Sequence, residues 1–193
     1  MQAKFVALAL SYSLGNGKLA LKGRRKQPWL EVSRSEVNRS YSNHQLKRLR
    51  ELHDGPIDFY KDRIPTNGYY DLERFRLTGE GLWRAYELLC PRDKPIISRQ
   101  VLDLVGVEGL TALWLDKGRF VGRQGHLSGR WSPEEYESIA SWIREMGVDA
   151  CVRHNQSGPI YISMRVKIMD DFIALISSYT HQSMKKKLKP VKV

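Results

Sequence analysis

Cysteine is scarce in this 193-residue chain. Only Cys90 and Cys151 occur, far apart and without any CxxC spacing. That excludes a disulfide scaffold and the paired-cysteine zinc motifs, and both are expected to be reduced core residues of a cytosolic-type compartment. Long apolar runs are missing as well. Nothing approaches the roughly 18 residues that a membrane span needs, so no membrane partner is expected. The short apolar run at 5–10, behind Lys4, lacks the length and the small-residue cleavage site of a signal peptide and reads as the first core helix. His44, His53, His126, His154 and His181 show no metal-ligand spacing, and no local Ser-His-Asp or Cys-His motif occurs. Gly15-Asn16-Gly17 is too short for a phosphate loop and lacks its Lys-Ser/Thr ending. No cofactor and no bound metal are expected.

Acid is in deficit. There are 32 Lys plus Arg against 21 Asp plus Glu, a net charge of +11. Such an excess favours a polyanionic partner through phosphate contacts and counterion release. Charge alone does not separate nucleic-acid-binding, ribosomal and membrane-surface proteins. With 41% hydrophobic and 27% charged residues the chain can build a real core, as one domain or two small fused ones.

The order of elements reads as one plan used twice. An apolar helix at 5–14 stops at Gly15-Asn16-Gly17. Period-2 alternation follows at 18–21 and 29–33 around the basic turn 22–26, a hairpin pattern. An amphipathic helix is expected at 42–52, a strand pair at 57–64 and 69–77, and a helix at 79–89 capped by Thr78. The boundary falls at 91–95. The second copy has an apolar helix at 102–115, strand residues at 119–121 and a Gly-rich turn at 122–129. Ser132-Pro133-Glu134-Glu135 then combines an N-cap serine, proline in the first turn and a capping-box glutamate. Val148 and Pro159 open the two arms of a hairpin around 155–158. A last helix covers 166–179. Domains are expected at 1–95 and 96–183, with a basic tail at 184–193.

The opening helices end alike, in Ala9-Leu10-Ser11-Tyr12-Ser13-Leu14-Gly15-Asn16-Gly17 and Leu110-Thr111-Ala112-Leu113-Trp114-Leu115-Asp116-Lys117-Gly118. Small third residues, Ser11 and Ala112, permit close helix approach. The final glycines are expected to supply a positive φ. Here the chain resembles the LAGLIDADG homing endonucleases in their single-chain, two-repeat form, over almost its whole length. The resemblance includes Val32-Ser33-Arg34-Ser35-Glu36, the approach from Ile96-Ile97 through Leu102 to Leu110, the run Trp114 to Gly118, and the ending Ser183-Met184-Lys185-Lys186-Lys187-Leu188. It implies an α/β (α+β) fold of two pseudo-symmetric αββαββα repeats, whose antiparallel sheets form a saddle in the major groove of DNA. It also implies that the last acid of each nonapeptide holds divalent metal against the scissile phosphates.

Both matching positions have lost their acid, to Asn16 and Lys117. Asn keeps one neutral oxygen, and an ammonium repels a dication. Asp116 is one residue off, a rotation of about 100° in a helix, and reads as a helix-end acid. The expectation is therefore a chain that is not an enzyme: a sequence-specific double-stranded-DNA-binding protein, monomeric, acting as a regulator or site-blocking factor. Such a protein belongs in the cytoplasm, on the nucleoid or in a host cell if a phage or mobile element encodes it. The alternatives are a site-specific endonuclease with an altered metal site and an RNA-binding intron maturase. Candidate DNA-binding residues of the first hairpin are Lys18, Lys22, Arg24, Arg25, Lys26, Arg34 and Arg39. In the second copy they are Arg119, Arg123, Gln124, His126 and Arg130, and in the tail Lys185 and Lys187. Arg suits guanine edges, Gln suits adenine, and the remaining cations suit phosphates. Trp83, Tyr86, Tyr136 and Trp142, at helical spacing, are expected in the core.

Overall fold

A computed structural model describes residues 2–22, 27–34, 38–66, 68–122, 124–154, 159–165 and 169–189, giving backbone alone at 22, 34, 62–66 and 68–72. The chain divides into two compact units, Met1–Pro95 and Ile96–Val193.

In the first unit, α1 (Gln2–Leu14) runs into β1 (Gly17–Lys22), and β2 (Gln27–Arg34) pairs antiparallel with it. Then come α2 (Arg39–Arg50), β3 (Ile57–Thr66), β4 (Gly68–Thr78), a single 3-10 turn at Glu80–Leu82, and α3 (Trp83–Leu89). The sheet order is β1-β2-β4-β3, all antiparallel. Alternation then sorts the side chains. Leu30, Val32, Phe75 and Leu77 are buried on the face that meets the helices. Helix α1 buries eight of its thirteen residues, as an apolar helix must. Its serines need no outside partner, because Ser11 and Ser13 donate to the carbonyls of Ala7 and Ala9.

The second unit repeats the order. It holds α4 (Arg99–Lys117), β5 (Gly118–Val121), β6 (Gln124–Leu127), α5 (Pro133–Glu145), β7 (Ala150–His154), β8 (Ile160–Met164) and α6 (Met169–Ser177). Its sheet order is β5-β6-β8-β7. The capping box of α5 forms: Ser132 accepts from the Glu135 N–H, and Glu135 accepts from the Ser132 N–H. The second Glu135 oxygen accepts from the Ile97 N–H at 2.7 Å, fastening the segment that leads into α4. Trp114, 1% exposed, packs edge-on against Phe120 and Phe172 at the centre of this unit.

Several expectations change. The stretch 122–129, read as a turn, contains β6, and its Gly125 is buried. Trp83 is 38% exposed, unlike buried Tyr86, Tyr136 and Trp142. Cys151 is half-buried on the sheet, whereas Cys90 is a core residue whose thiol burial pushes up to about 11. The basic end is no loose tail as far as it is described. Gln182–Leu188 forms a 3-10 helix that buries Met184 and Leu188. The backbone of α4 breaks at Gly106 (φ 53°, ψ −152°), a conformation that residues with a β-carbon essentially never adopt. Among the described residues no helix is long and apolar enough to cross a membrane.

The two motif-ending glycines do not sit at positive φ; Gly118 has φ −82°. What they need is space. A β-carbon on Gly17 would lie 2.6 Å from the Tyr12 carbonyl oxygen, and one on Gly118 would lie 2.3 Å from the Trp114 ring and 2.6 Å from its carbonyl oxygen. Gly118→Ala is expected to destabilise by about 1–3 kcal/mol through overpacking. Gly106→Ala should cost about the same through backbone strain alone, since nothing lies within 4 Å of its added carbon. Urea unfolding of both variants checks this, and wild-type midpoints would contradict it.

Candidate nucleic-acid interface

Each sheet has a second face, turned away from the residues that pack against the helices. In the first unit the register places Lys18, Trp29, Glu31, Tyr60, Arg74 and Arg76 there. Lys18 is exposed, its ammonium 5.6 Å from the centre of the Trp29 ring. Glu31 is buried at 5% exposure and holds Arg74 and Arg76 at 2.7 and 2.8 Å, while Tyr60 donates its hydroxyl to the same carboxylate. The Arg76 guanidinium lies between the Trp29 and Tyr60 rings, 4.3 and 4.8 Å from their centres. Sequence reasoning missed Arg74, Arg76 and Tyr60. The signal was the alternation of Arg74 and Arg76 with buried Phe75 and Leu77, which puts both arginines on the open face.

In the second unit the open face carries Arg119, Gln124, His126, Tyr161 and Arg153. Arg119, Gln124 and Arg153 are exposed. The His126 ring stacks on Tyr161 with centres 4.5 Å apart, and its Nε2 is buried without a hydrogen-bond partner. Desolvation lowers the His126 pKa, and the Arg119 charge opposite it in the register adds to the effect.

The remaining candidates divide. Arg130 is exposed in the loop after β6, and Lys185 is exposed on the 3-10 helix. Arg39 donates to Glu73 at 3.2 Å from the start of α2, half exposed and already paired. Lys187 is placed differently from expectation. Its ammonium donates to the Leu115 carbonyl near the end of α4, while its own carbonyl accepts from the Trp114 indole. There it complements the helix dipole, worth about 0.3–1 kcal/mol. Arg24, Arg25, Lys26 and Arg123 lie outside the described residues, as do the side chains of Lys22 and Arg34.

Asn16 is exposed in the turn between α1 and β1; Asp116 and Lys117 are half-buried in the last turn of α4. A hard divalent cation takes oxygen donors, preferably carboxylates. These positions offer one carboxylate, one neutral amide oxygen and one repelling ammonium. Among the described residues no three His, Cys, Asp or Glu side chains gather into a metal site. The donor set does not fit a two-metal cage with an acid at each motif end.

Solved structures show the same architecture. The homing endonuclease I-WcaI bound to its DNA recognition sequence matches 100% of this chain and 88% of its own, with TM-score 0.81 and 16% identity. I-DmoI in complex with DNA and Mn matches 94% and 99%, with TM-score 0.62 and 14% identity. The chain has the LAGLIDADG homing endonuclease fold. A third similar solved structure, full-length DUF199/WhiA from Thermatoga maritima, matches 96% of the chain and 58% of its own, with TM-score 0.55 and 8% identity. No protein-family model matches the chain, and no curated protein matches its sequence.

These likenesses correct the expectation that the chain is not an enzyme. The I-WcaI and I-DmoI structures that share its LAGLIDADG fold are homing endonucleases, one of them in complex with DNA and Mn. The loss of acid at Asn16 and Lys117 is outweighed by the fold shared with these nucleases, and Asp116 keeps a carboxylate in the last turn of α4.

The half-buried histidines give a pH signature. His53 stacks on Phe5, ring centres 5.1 Å apart, and desolvation lowers its pKa against the opposing pull of the Thr78 and Pro56 backbones and Asp54. A folded-state pKa below the unfolded value means that the unfolded chain binds the proton more readily. Stability from His53 and His126 is therefore complete above about pH 6.5 and is lost as pH falls below it. The expected outcome is a melting temperature that drops on acidification, by less in the His53→Gln, His126→Gln double variant. An identical drop in the two proteins would contradict this assignment.

Proposed function

We propose that the chain is a site-specific endonuclease for double-stranded DNA with an altered metal site. The observation that carries this reading is a near-full-length likeness to nucleases, one bound to its DNA recognition sequence and one holding DNA and Mn. The charge supports it. A net +11 accompanies open sheet faces that present Lys18 and Arg76 in one unit and Arg119, Gln124 and Arg153 in the other. An antiparallel sheet with one packed and one open face is the kind of surface that can enter a major groove. Cations there contact phosphates, and arginine forks or glutamine amides read base edges.

Phosphodiester hydrolysis needs a water aimed at phosphorus opposite the leaving 3′ oxygen, and a group to accept its proton. Asp116 is the acid proposed for that task, as the carboxylate one residue before the substituted position Lys117. Binding and cutting are then separable. Binding depends on the sheet faces and weakens with salt, with log K falling linearly against log salt at about −0.9 per neutralised phosphate.

The test selects duplexes from a randomised pool and incubates the winners with protein in Mg²⁺ and in Mn²⁺. Breaks or nicks at a fixed position are expected. Asp116→Asn should lower the cutting rate by about 100-fold or more, on the scale of a lost general base, with duplex affinity changed only slightly. Selected duplexes that stay intact with the wild-type protein in both metals would overturn the nuclease assignment, and a preference for RNA over duplex would overturn the substrate.

A further inference from the structure

The Glu31 cluster on the open face of the first sheet is more than a surface ion pair. Glu31 lies mid-strand on β2, directly opposite Arg76 on β4, with its side chain 6% exposed. Its oxygens take both arginines and the Tyr60 hydroxyl. Arg76 donates again to the Tyr60 oxygen at 2.8 Å, and its guanidinium carbon lies 4.3 and 4.8 Å from the centres of the Trp29 and Tyr60 rings. Two guanidiniums share the Glu31 carboxylate, and Asp58, opposite Arg76 on β3, is exposed on the same face. The arginine side chains remain 26% and 18% exposed. Such an arrangement costs desolvation of three charges. Its return is geometry: two long side chains that would otherwise sample many rotamers are held in one orientation.

We propose that Glu31 is a positioning residue that holds Arg74 and Arg76 as a rigid pair for reading guanine edges in the half-site bound by the first unit. This rests on the duplex-DNA reading above. Guanine is the base a guanidinium matches at O6 and N7. Arg74, which meets Glu31 through Nη1, has Nη2 and the second Nη1 hydrogen to form a fork, whereas Arg76, whose Nη2 is taken by Glu31 and Tyr60, offers Nη1. A freely rotating arginine gives mostly charge, whereas a held one gives discrimination. Glu31 thus acts through the arginines, and its loss should appear as lost specificity with little loss of general affinity.

The experiment is competitive selection from a randomised duplex pool, alongside affinity for random duplex and thermal melting of each variant. Wild type first shows whether a duplex site is selected at all; if none is, the duplex reading fails and this inference falls with it. Given a site, Arg76→Lys and Arg74→Lys keep the charge and lose the guanidinium. Each is expected to lower the specific-to-random ratio at least tenfold at particular guanines while random-duplex affinity stays within about threefold. Glu31→Gln should relax those same positions, and Glu31→Asp should recover part of the ratio. Tyr60→Phe, which removes a single hydroxyl, tests the same network if Glu31→Gln does not fold; it should relax the same positions more weakly. A folded Glu31→Gln protein with wild-type preference, or Arg→Lys variants that keep their ratio, would overturn the proposal. Relaxation at different positions by Glu31→Gln and the arginine variants would overturn it equally.

Discussion

At the end of each buried opening helix the chain turns into a strand with no room for a β-carbon. Gly17 lies against the Tyr12 carbonyl, and Gly118 against the Trp114 ring and carbonyl. Everything downstream depends on that turn. Strands β1 and β5 start directly at these glycines, without an intervening loop residue after them. Trp114 does double duty in the second unit. It crowds Gly118, packs edge-on against Phe120 and Phe172, and donates to the Lys187 carbonyl. A lysine that looked free to meet phosphate is thereby spent on the end of α4.

With one face of each sheet committed to the helices, the other is left to polar residues, and the two units fill it differently. The first builds a network around buried Glu31, with aromatic rings and guanidiniums in fixed contact. The second is more open, presenting Arg119, Gln124 and Arg153 to solvent around the stacked His126 and Tyr161 rings.

Local signals were legible in the sequence and distant ones were not. The start of α5 could be read from four residues, because a capping box is made within one turn. The repeated element order and the resemblance to LAGLIDADG proteins were legible from the helix endings. Strand β6 was hidden by its glycine. Gly125 looks like a turn residue, yet it is buried within β6, where a β-carbon would lie 2.6 Å from the Met169 sulfur. The break at Gly106 was hidden because the apolar pattern runs on through it. The Glu31 network was invisible for a simpler reason: its arginines are 43 and 45 residues away in sequence, and only the strand register brings them together. The nuclease question was misjudged because two substituted positions outweighed the likeness of the whole chain.

The central claim is that the open sheet faces are where duplex DNA lies. Chemical modification of lysines and arginines, read by mass spectrometry with and without a selected duplex, tests it most directly. Lys18 and Arg119 lie on the open faces, whereas Lys47 and Arg84 are exposed on α2 and α3. The account predicts that duplex protects Lys18 and Arg119 and leaves Lys47 and Arg84 reactive. Protection of Lys47 and Arg84 with Lys18 and Arg119 still reactive would contradict it.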